Sequence, residues 1–132
     1  LEIISSILEK SIDFHNLISS LIIVPHEVEP KLIKKIESIC KKSKLFNNVI
    51  KLSNFKKKSN YQTIIIDKVG ILPELYKYSK IAYIGGGFEN GAHSTIEPLI
   101  YNNIVCYGPN IDILDEAKEY ICIDDICVGT YK

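Results

Sequence analysis

The stretch Ile81-Ala82-Tyr83-Ile84-Gly85-Gly86-Gly87-Phe88-Glu89-Asn90-Gly91-Ala92-His93-Ser94-Thr95-Ile96-Glu97-Pro98 decides how this chain is read. A short apolar run enters three consecutive glycines, a fourth glycine follows, and Ser94-Thr95-Ile96-Glu97 then reads as a helix start. A run of that length suits a strand buried on both faces of a parallel sheet. Glycines after it let the backbone take up positive φ and bring N–H groups close to an anion with no Cβ in the way. A helix beginning just beyond adds its positive end, so phosphate can be held without arginine. The alternative is a plain tight turn between strand and helix. The spacing is neither G-x-G-x-x-G nor the lysine-serine ending of a P-loop, which disfavours both of those nucleotide motifs.

Working outward, the same alternation recurs. Short β-branched runs lie at Leu21 to Val24, Asn48 to Leu52, Thr63 to Ile66, Ile104 to Tyr107 and Tyr120 to Ile123. Apolar residues at helical spacing lie at Ile3 to Ile12 and Val28 to Cys40, and Leu72 to Tyr78, Thr95 to Tyr101 and Ile111 to Glu119 can also be helical. Strands alternating with helices at this spacing predict βαβ units, an α/β fold with a parallel sheet covered by helices. Ligands of such sheets sit beyond the carboxyl ends of the strands. That directs attention to the loops Pro25-His26-Glu27, Asp67 to Ile71, Gly85 to Ser94 and Gly108-Pro109-Asn110. The lysine-rich stretch from Phe55 to Asn60 reads as an exposed loop.

Composition narrows the function classes. The 132 residues carry 16 basic and 16 acidic side chains, and every basic one is lysine. Neutrality argues against a general nucleic-acid binder, whose affinity comes from neutralising phosphates. The absence of arginine removes the planar fork that grips phosphate in two places. Residues 1–66 hold 11 lysines and 6 acids, and residues 67–132 hold 5 lysines and 10 acids, so the halves differ as +5 and −5. No apolar run approaches the ~20 residues of a membrane-spanning helix, and no secretory signal opens the chain. Without a methionine, the chain is expected to be processed or cut from something longer. Cys40, Cys106, Cys122 and Cys127 form no CxxC pair and have no histidine beside them, so no structural metal is expected. Cys40, Cys106 and Cys122 sit in apolar patterns, as small buried hydrophobes of a reducing compartment do.

Two spots admit two readings each. His93 and Glu97 are four apart, which on a helix puts both on one face, where Glu97 could accept hydrogen bonds from a vicinal diol such as ribose. Ser94 and Glu97 also have the spacing of a capping box, with Ser94 as the cap. His26 follows a buried strand, where an imidazole could donate to a phosphate or exchange a proton. Equally, His26 and Glu27 could simply open the next helix.

The combination of a strand followed by Pro25-His26-Glu27, then GILPELYKYSKIAYIGGGFENGAHSTIEPLIYNNIVCYGPN from Gly70 to Asn110, resembles the C-terminal half of 3-deoxy-D-manno-octulosonic acid (Kdo) transferases. The resemblance runs from about Leu21 to Glu119. It implies a GT-B fold, in which two Rossmann-like halves face each other across a cleft, and places residues 1–132 as a single donor-binding domain. That half would be an open parallel sheet with helices on both faces, incomplete at its N-terminus, with the acceptor domain absent. It implies a donor, CMP-Kdo, and an acceptor, a lipid A precursor, within lipopolysaccharide biosynthesis. The setting it implies is the cytoplasmic side of the bacterial inner membrane, with peripheral membrane contact, no nucleic acid, no metal and no cofactor.

By the same resemblance, Gly85, Gly86 and Gly87 would lie against the donor phosphate or sugar carboxylate. His93 and Ser94 would contact the phosphate, and Glu97 would bind the ribose hydroxyls. Pro25 and His26 would border the nucleotide, and Gly70 with Ile71 would line the cytosine. Ser94 stands where relatives commonly carry asparagine, and the Pro25-His26-Glu27 loop lacks an arginine that many relatives have. No catalytic base is expected within this chain, so the longer protein is expected to be the enzyme and the chain alone inactive, a soluble fragment. Two other readings stay open: the nucleotide-binding half of a GT-B enzyme using a UDP-sugar, and an α/β binding module without transfer chemistry.

Overall fold

The computed structural model describes residues 20–42, 48–57, 63–85, 95–108, 121–123 and 126–129, the last two stretches as backbone strands. The chain divides into two compact units, Leu1–Val69 and Gly70–Lys132.

The first unit contains β1 (Leu21–Ile23), α1 (Pro30–Lys42), β2 (Val49–Lys51), a 3-10 turn (Leu52–Asn54) and β3 (Thr63–Ile65). The three strands form one parallel sheet in the order β1-β3-β2, with Leu21 and Val49 both opposite Thr63. An all-parallel sheet needs helical cover. Here α1 supplies it, burying Ile33, Ile36 and Cys40 against Ile65, with Leu21, Ile23, Leu32 and Val49 packed around them. These α1 positions recur every three or four residues, so one face of the helix meets the sheet.

Cys40 is fully buried, and desolvation pushes its thiol up to about 11 from an ordinary 9.0. Only a thiolate reacts with alkylating reagents, and at pH 8 a group with that pKa is ionised to roughly one part in a thousand. We expect Cys40 to label at least a hundredfold more slowly in the folded chain than in urea, as read by mass spectrometry after proteolysis. The folded state also holds this proton more tightly than the unfolded one. Its stabilising share is therefore complete below the unfolded pKa and is lost as pH rises through about 11.

The second unit contains α2 (Leu72–Leu75), a 3-10 turn (Tyr76–Tyr78), β4 (Ile81–Ile84), α3 (Ile96–Ile100), β5 (Ile104–Tyr107), β6 (Ile121–Ile123) and β7 (Ile126–Gly129). The strand order is β4-β5-β7-β6. β4 and β5 are parallel, with Ile81 opposite Ile104 and Ile84 opposite Tyr107, as a βαβ unit requires. Ala82, Ile84, Val105 and Tyr107 form a core with Tyr76, and Leu72, Leu99 and Tyr101 pack against it.

The α/β class and the parallel pairing agree with the sequence expectation, and β4 and β5 fall at the expected residues. Three details differ. The segment from Leu72 to Tyr78 breaks into a short helix and a 3-10 turn. The strand ending at Ile123 pairs antiparallel with β7, across the two intervening residues Asp124 and Asp125, and β7 pairs antiparallel with β5. So few intervening residues suit a hairpin, whereas a parallel return needs a long crossover. The expected helices at Ile3 to Ile12 and Ile111 to Glu119 lie outside the described residues.

Candidate functional site

The parallel sheet of the first unit brings the carboxyl ends of its three strands to one edge. Pro25 and His26 follow β1 there, Ser53 follows β2 and Asp67 follows β3. Pro25 is half-buried and His26 exposed. The Asp67 carboxylate accepts from the Ser53 hydroxyl at 2.5 Å and the Ser53 N–H at 3.0 Å. These hydrogen bonds, the hydroxyl's foremost, hold its carboxyl below the ordinary carboxylate range. The pair ties the turn after β2 to the loop after β3, while the Ile66 N–H donates to the Ile23 carbonyl at 2.9 Å and ties that loop to β1. Nothing in the residue spacing points to Ser53, whose partner is 14 positions away.

In the second unit Gly70 adopts φ +80, the left-handed region that glycine occupies without strain. It places Ile71, half-buried, at the start of α2. Gly85 ends β4, exposed, and a Cβ built on it would meet nothing within 4 Å. No described residue therefore crowds its backbone. Gly86, Gly87, His93 and Ser94 lie outside the described residues.

Glu97 stands exposed in the first turn of α3. The cap expected at Ser94 lies outside the described residues. The helix begins at Ile96, and Thr95, at its N-cap position, makes no side-chain capping hydrogen bond. Glu97 is thus the second helical residue, whereas a capping box needs its carboxylate at the third. Five residues align few peptide dipoles, so an anion at this turn would meet backbone N–H groups and little macrodipole. Among the described residues, no hydrogen bond engages the Glu97 carboxylate. Its charge is felt by Tyr76, whose phenol is pushed up first by burial and then by Glu97. Thr95 itself is fully buried, and its Oγ1 finds no partner among the described residues.

Asn103 joins these pieces. It is 2% exposed, and its Nδ2 donates to the Tyr76 carbonyl at 3.0 Å and the Pro98 carbonyl at 3.1 Å. Its Oδ1 accepts from the Ser79 hydroxyl, and its backbone N–H donates to Pro98 O at 3.1 Å. Just before it, Asn102 takes φ 56 and ends α3, donating to Leu99 O at 2.9 Å. One buried amide therefore couples the Glu97 helix to the segment that begins at Gly70. Lys77 adds a contact over the Tyr101 ring, 5.8 Å from its centroid. Among the described residues the arrangement offers a carboxylate acceptor at Glu97, the exposed backbone of Gly85 and a fixed backbone loop at Gly70. Among the described residues no three His, Cys, Asp or Glu side chains gather as a metal site.

No protein-family profile matches the chain. Single proteins do. The chain is 35% identical over 104 residues to the 3-deoxy-D-manno-octulosonic acid transferase of Aquifex aeolicus, covering 76% of this chain and 27% of that protein. It is 36% identical over 104 residues to a bifunctional glycosyltransferase/methyltransferase of Fusobacterium nucleatum, covering 76% of this chain and 16% of that protein. Against the 3-deoxy-D-manno-octulosonic acid transferase of Chlamydia trachomatis the identity is 31% over 100 residues, covering 74% and 22%. The chain thus spans between 16% and 27% of the length of these curated relatives. On this similarity the chain is a Kdo transferase-like glycosyltransferase region.

Proposed function

We propose that residues 1–132 are the donor-binding domain of a glycosyltransferase that moves Kdo from CMP-Kdo to a lipid A precursor in lipopolysaccharide biosynthesis, working at the cytoplasmic face of the bacterial inner membrane. The observation that carries this reading is the exposed Glu97 carboxylate on a helix held by Asn103 against the segment that starts at Gly70. A carboxylate so placed accepts from both hydroxyls of a ribose, and charge-assisted bonds of that kind are the strong ones. The backbone at Gly70 and Ile71 reads the cytosine edge, and Pro25 and His26 border the nucleotide. Amides from Gly85 to Gly87, with His93 and Ser94, receive the donor phosphate. As the sugar leaves, negative charge gathers on that phosphate, and fixed N–H donors stabilise it. The base that deprotonates the acceptor hydroxyl comes from the acceptor domain of the longer protein, so the chain alone gives no transfer.

Calorimetry with CMP, UMP and free Kdo tests the reading. We expect saturable CMP binding, weaker UMP binding, and a loss of about tenfold to a hundredfold in CMP affinity in Glu97→Ala with the melting temperature unchanged, since each lost charged hydrogen bond is worth ~1.5–3 kcal/mol. Preference for UMP would favour a UDP-sugar enzyme. No nucleotide binding at all would leave only a non-catalytic module.

A further inference from the structure

α1 carries lysine at 31, 34, 35, 41 and 42, all exposed. At ~100° per residue these five lie within an arc of roughly 120°, directly opposite the face formed by Ile33, Ile36 and Cys40. The outer surface of the helix is therefore a row of ammonium groups ~17 Å long. A shallow depression on it is lined by Lys34, Glu37, Ser38, Lys41 and Lys42, and by none of the candidate donor residues.

Local helix physics explains only part of this row. Lys41 and Lys42 sit in the last turn, where cations complement the carbonyl end. Lys31 lies in the first turn, where a cation is unfavourable, in a helix with no acid in that turn. Lys31 is also spaced three and four residues from Lys34 and Lys35, so like charges face each other. The acids Glu27 and Glu29 precede the helix, outside that first turn. Within the helix Glu37 is the acid that answers, and it is spent on Lys41 at 2.8 Å and Lys51 at 3.8 Å. Lys31, Lys34, Lys35 and Lys42 make no ion pair among the described residues. A row kept against local preference points to something outside the fold that it serves.

We propose that the outer face of α1 docks on an anionic lipid bilayer. Flexible ammonium groups spread along one flat helix face match the diffuse negative charge of a headgroup plane. With no arginine and a net charge of zero over the whole chain, the row is poorly suited to gripping the regular phosphates of a nucleic acid. This docking rests on the membrane setting proposed above, and it identifies the surface of the domain that faces the lipid. It is independent of donor binding, because none of these lysines is a candidate donor residue.

Co-sedimentation of the full chain with vesicles of phosphatidylglycerol and phosphatidylcholine, against phosphatidylcholine alone, tests it. Binding should require phosphatidylglycerol and weaken from 50 to 300 mM salt. Each lysine near such a surface strengthens partitioning about fivefold, so Lys31→Gln/Lys34→Gln/Lys35→Gln should lower it on the order of a hundredfold. Removing cations from the first half of a helix does not threaten folding, which a thermal melt checks. CMP affinity measured on the same variant should be unchanged, which separates failure of docking from failure of the donor reading. The proposal is overturned by no binding to anionic vesicles, by equal binding to neutral ones, by equally strong binding to single-stranded RNA, or by a loss seen in Lys56→Gln/Lys57→Gln and not in the helix triple.

Discussion

Asn103→Ala should lower the melting temperature of the chain by about 10 °C, corresponding to a loss of ~3 kcal/mol at this size. The side chain removed is 2% exposed and serves four partners, the Tyr76, Pro98 and, more weakly, Tyr101 carbonyls and the Ser79 hydroxyl. Its loss leaves the Tyr76 and Pro98 carbonyls without this donor and the Ser79 hydroxyl without this acceptor. Each buried polar group left unsatisfied costs ~1–3 kcal/mol, and the small void adds to that. The backbone bond from Asn103 to Pro98 remains, so the figure sits in the lower part of the summed range. Ser79→Ala, which removes one hydroxyl shared between the Asn103 side chain and the Tyr76 carbonyl at a partly buried position, should cost ~1 kcal/mol.

Asn103→Asp sharpens the same argument. It keeps the size and replaces the donating amide with a carboxylate facing two carbonyl oxygens. The ionised form is repelled there, so its pKa rises in the folded state above the ordinary ~3.9. A raised folded pKa means that stability is retained below the unfolded pKa and lost as pH rises through the folded one. The aspartate variant should therefore melt closer to the parent at pH 3.5 than at pH 7, while alanine shows no such dependence. Because Asn103 couples the Glu97 helix to the segment from Gly70, the variants that stay folded should also bind CMP more weakly.

The strands were legible because short apolar runs announce themselves over four residues, and β4 and β5 fall at the residues expected. They nevertheless bury alternate side chains and leave Ile81, Tyr83 and Ile104 exposed rather than being covered on both faces. α1 was legible from the spacing of Ile33, Ile36 and Cys40, which the structure buries. The antiparallel β7 was not, since Ile126–Gly129 follows the preceding apolar run after only Asp124 and Asp125 and ends in glycine, a residue that weakens a strand pattern. At α3 the helix begins at Ile96 beside the fully buried Thr95, a packing that the local spacing of Ser94 to Glu97 does not show. Asn103 is the instructive omission. An asparagine after a helix reads as a turn residue, and its partner Tyr76, 27 positions earlier, leaves no trace in local spacing. Glu97 was singled out from the sequence, whereas the Asn103 contacts that hold its helix become apparent only in three dimensions.

In the first unit the largest effect belongs to Ile65→Ala. β3 is the central strand of its sheet, and Ile65 is fully buried beneath α1 with Ile33, Ile36 and Cys40. A central strand cannot move toward solvent to collapse the void, so the deleted methyl and methylene groups leave a cavity as well as lost burial. Substitutions of this kind cost ~2–5 kcal/mol, and the rigid surroundings place this one at ~4 kcal/mol. Ile65→Val removes one methylene and should cost only ~1 kcal/mol. Ile64→Ala is the internal control. Successive side chains of a strand face opposite sides, and Ile64 is only half-buried, so its replacement should cost clearly less than that of Ile65. Urea midpoints of the three variants at constant slope would measure the order. An Ile64 loss equal to that of Ile65 would mean that the sheet is covered as tightly on the face away from α1, and that the burial of β3 is symmetric.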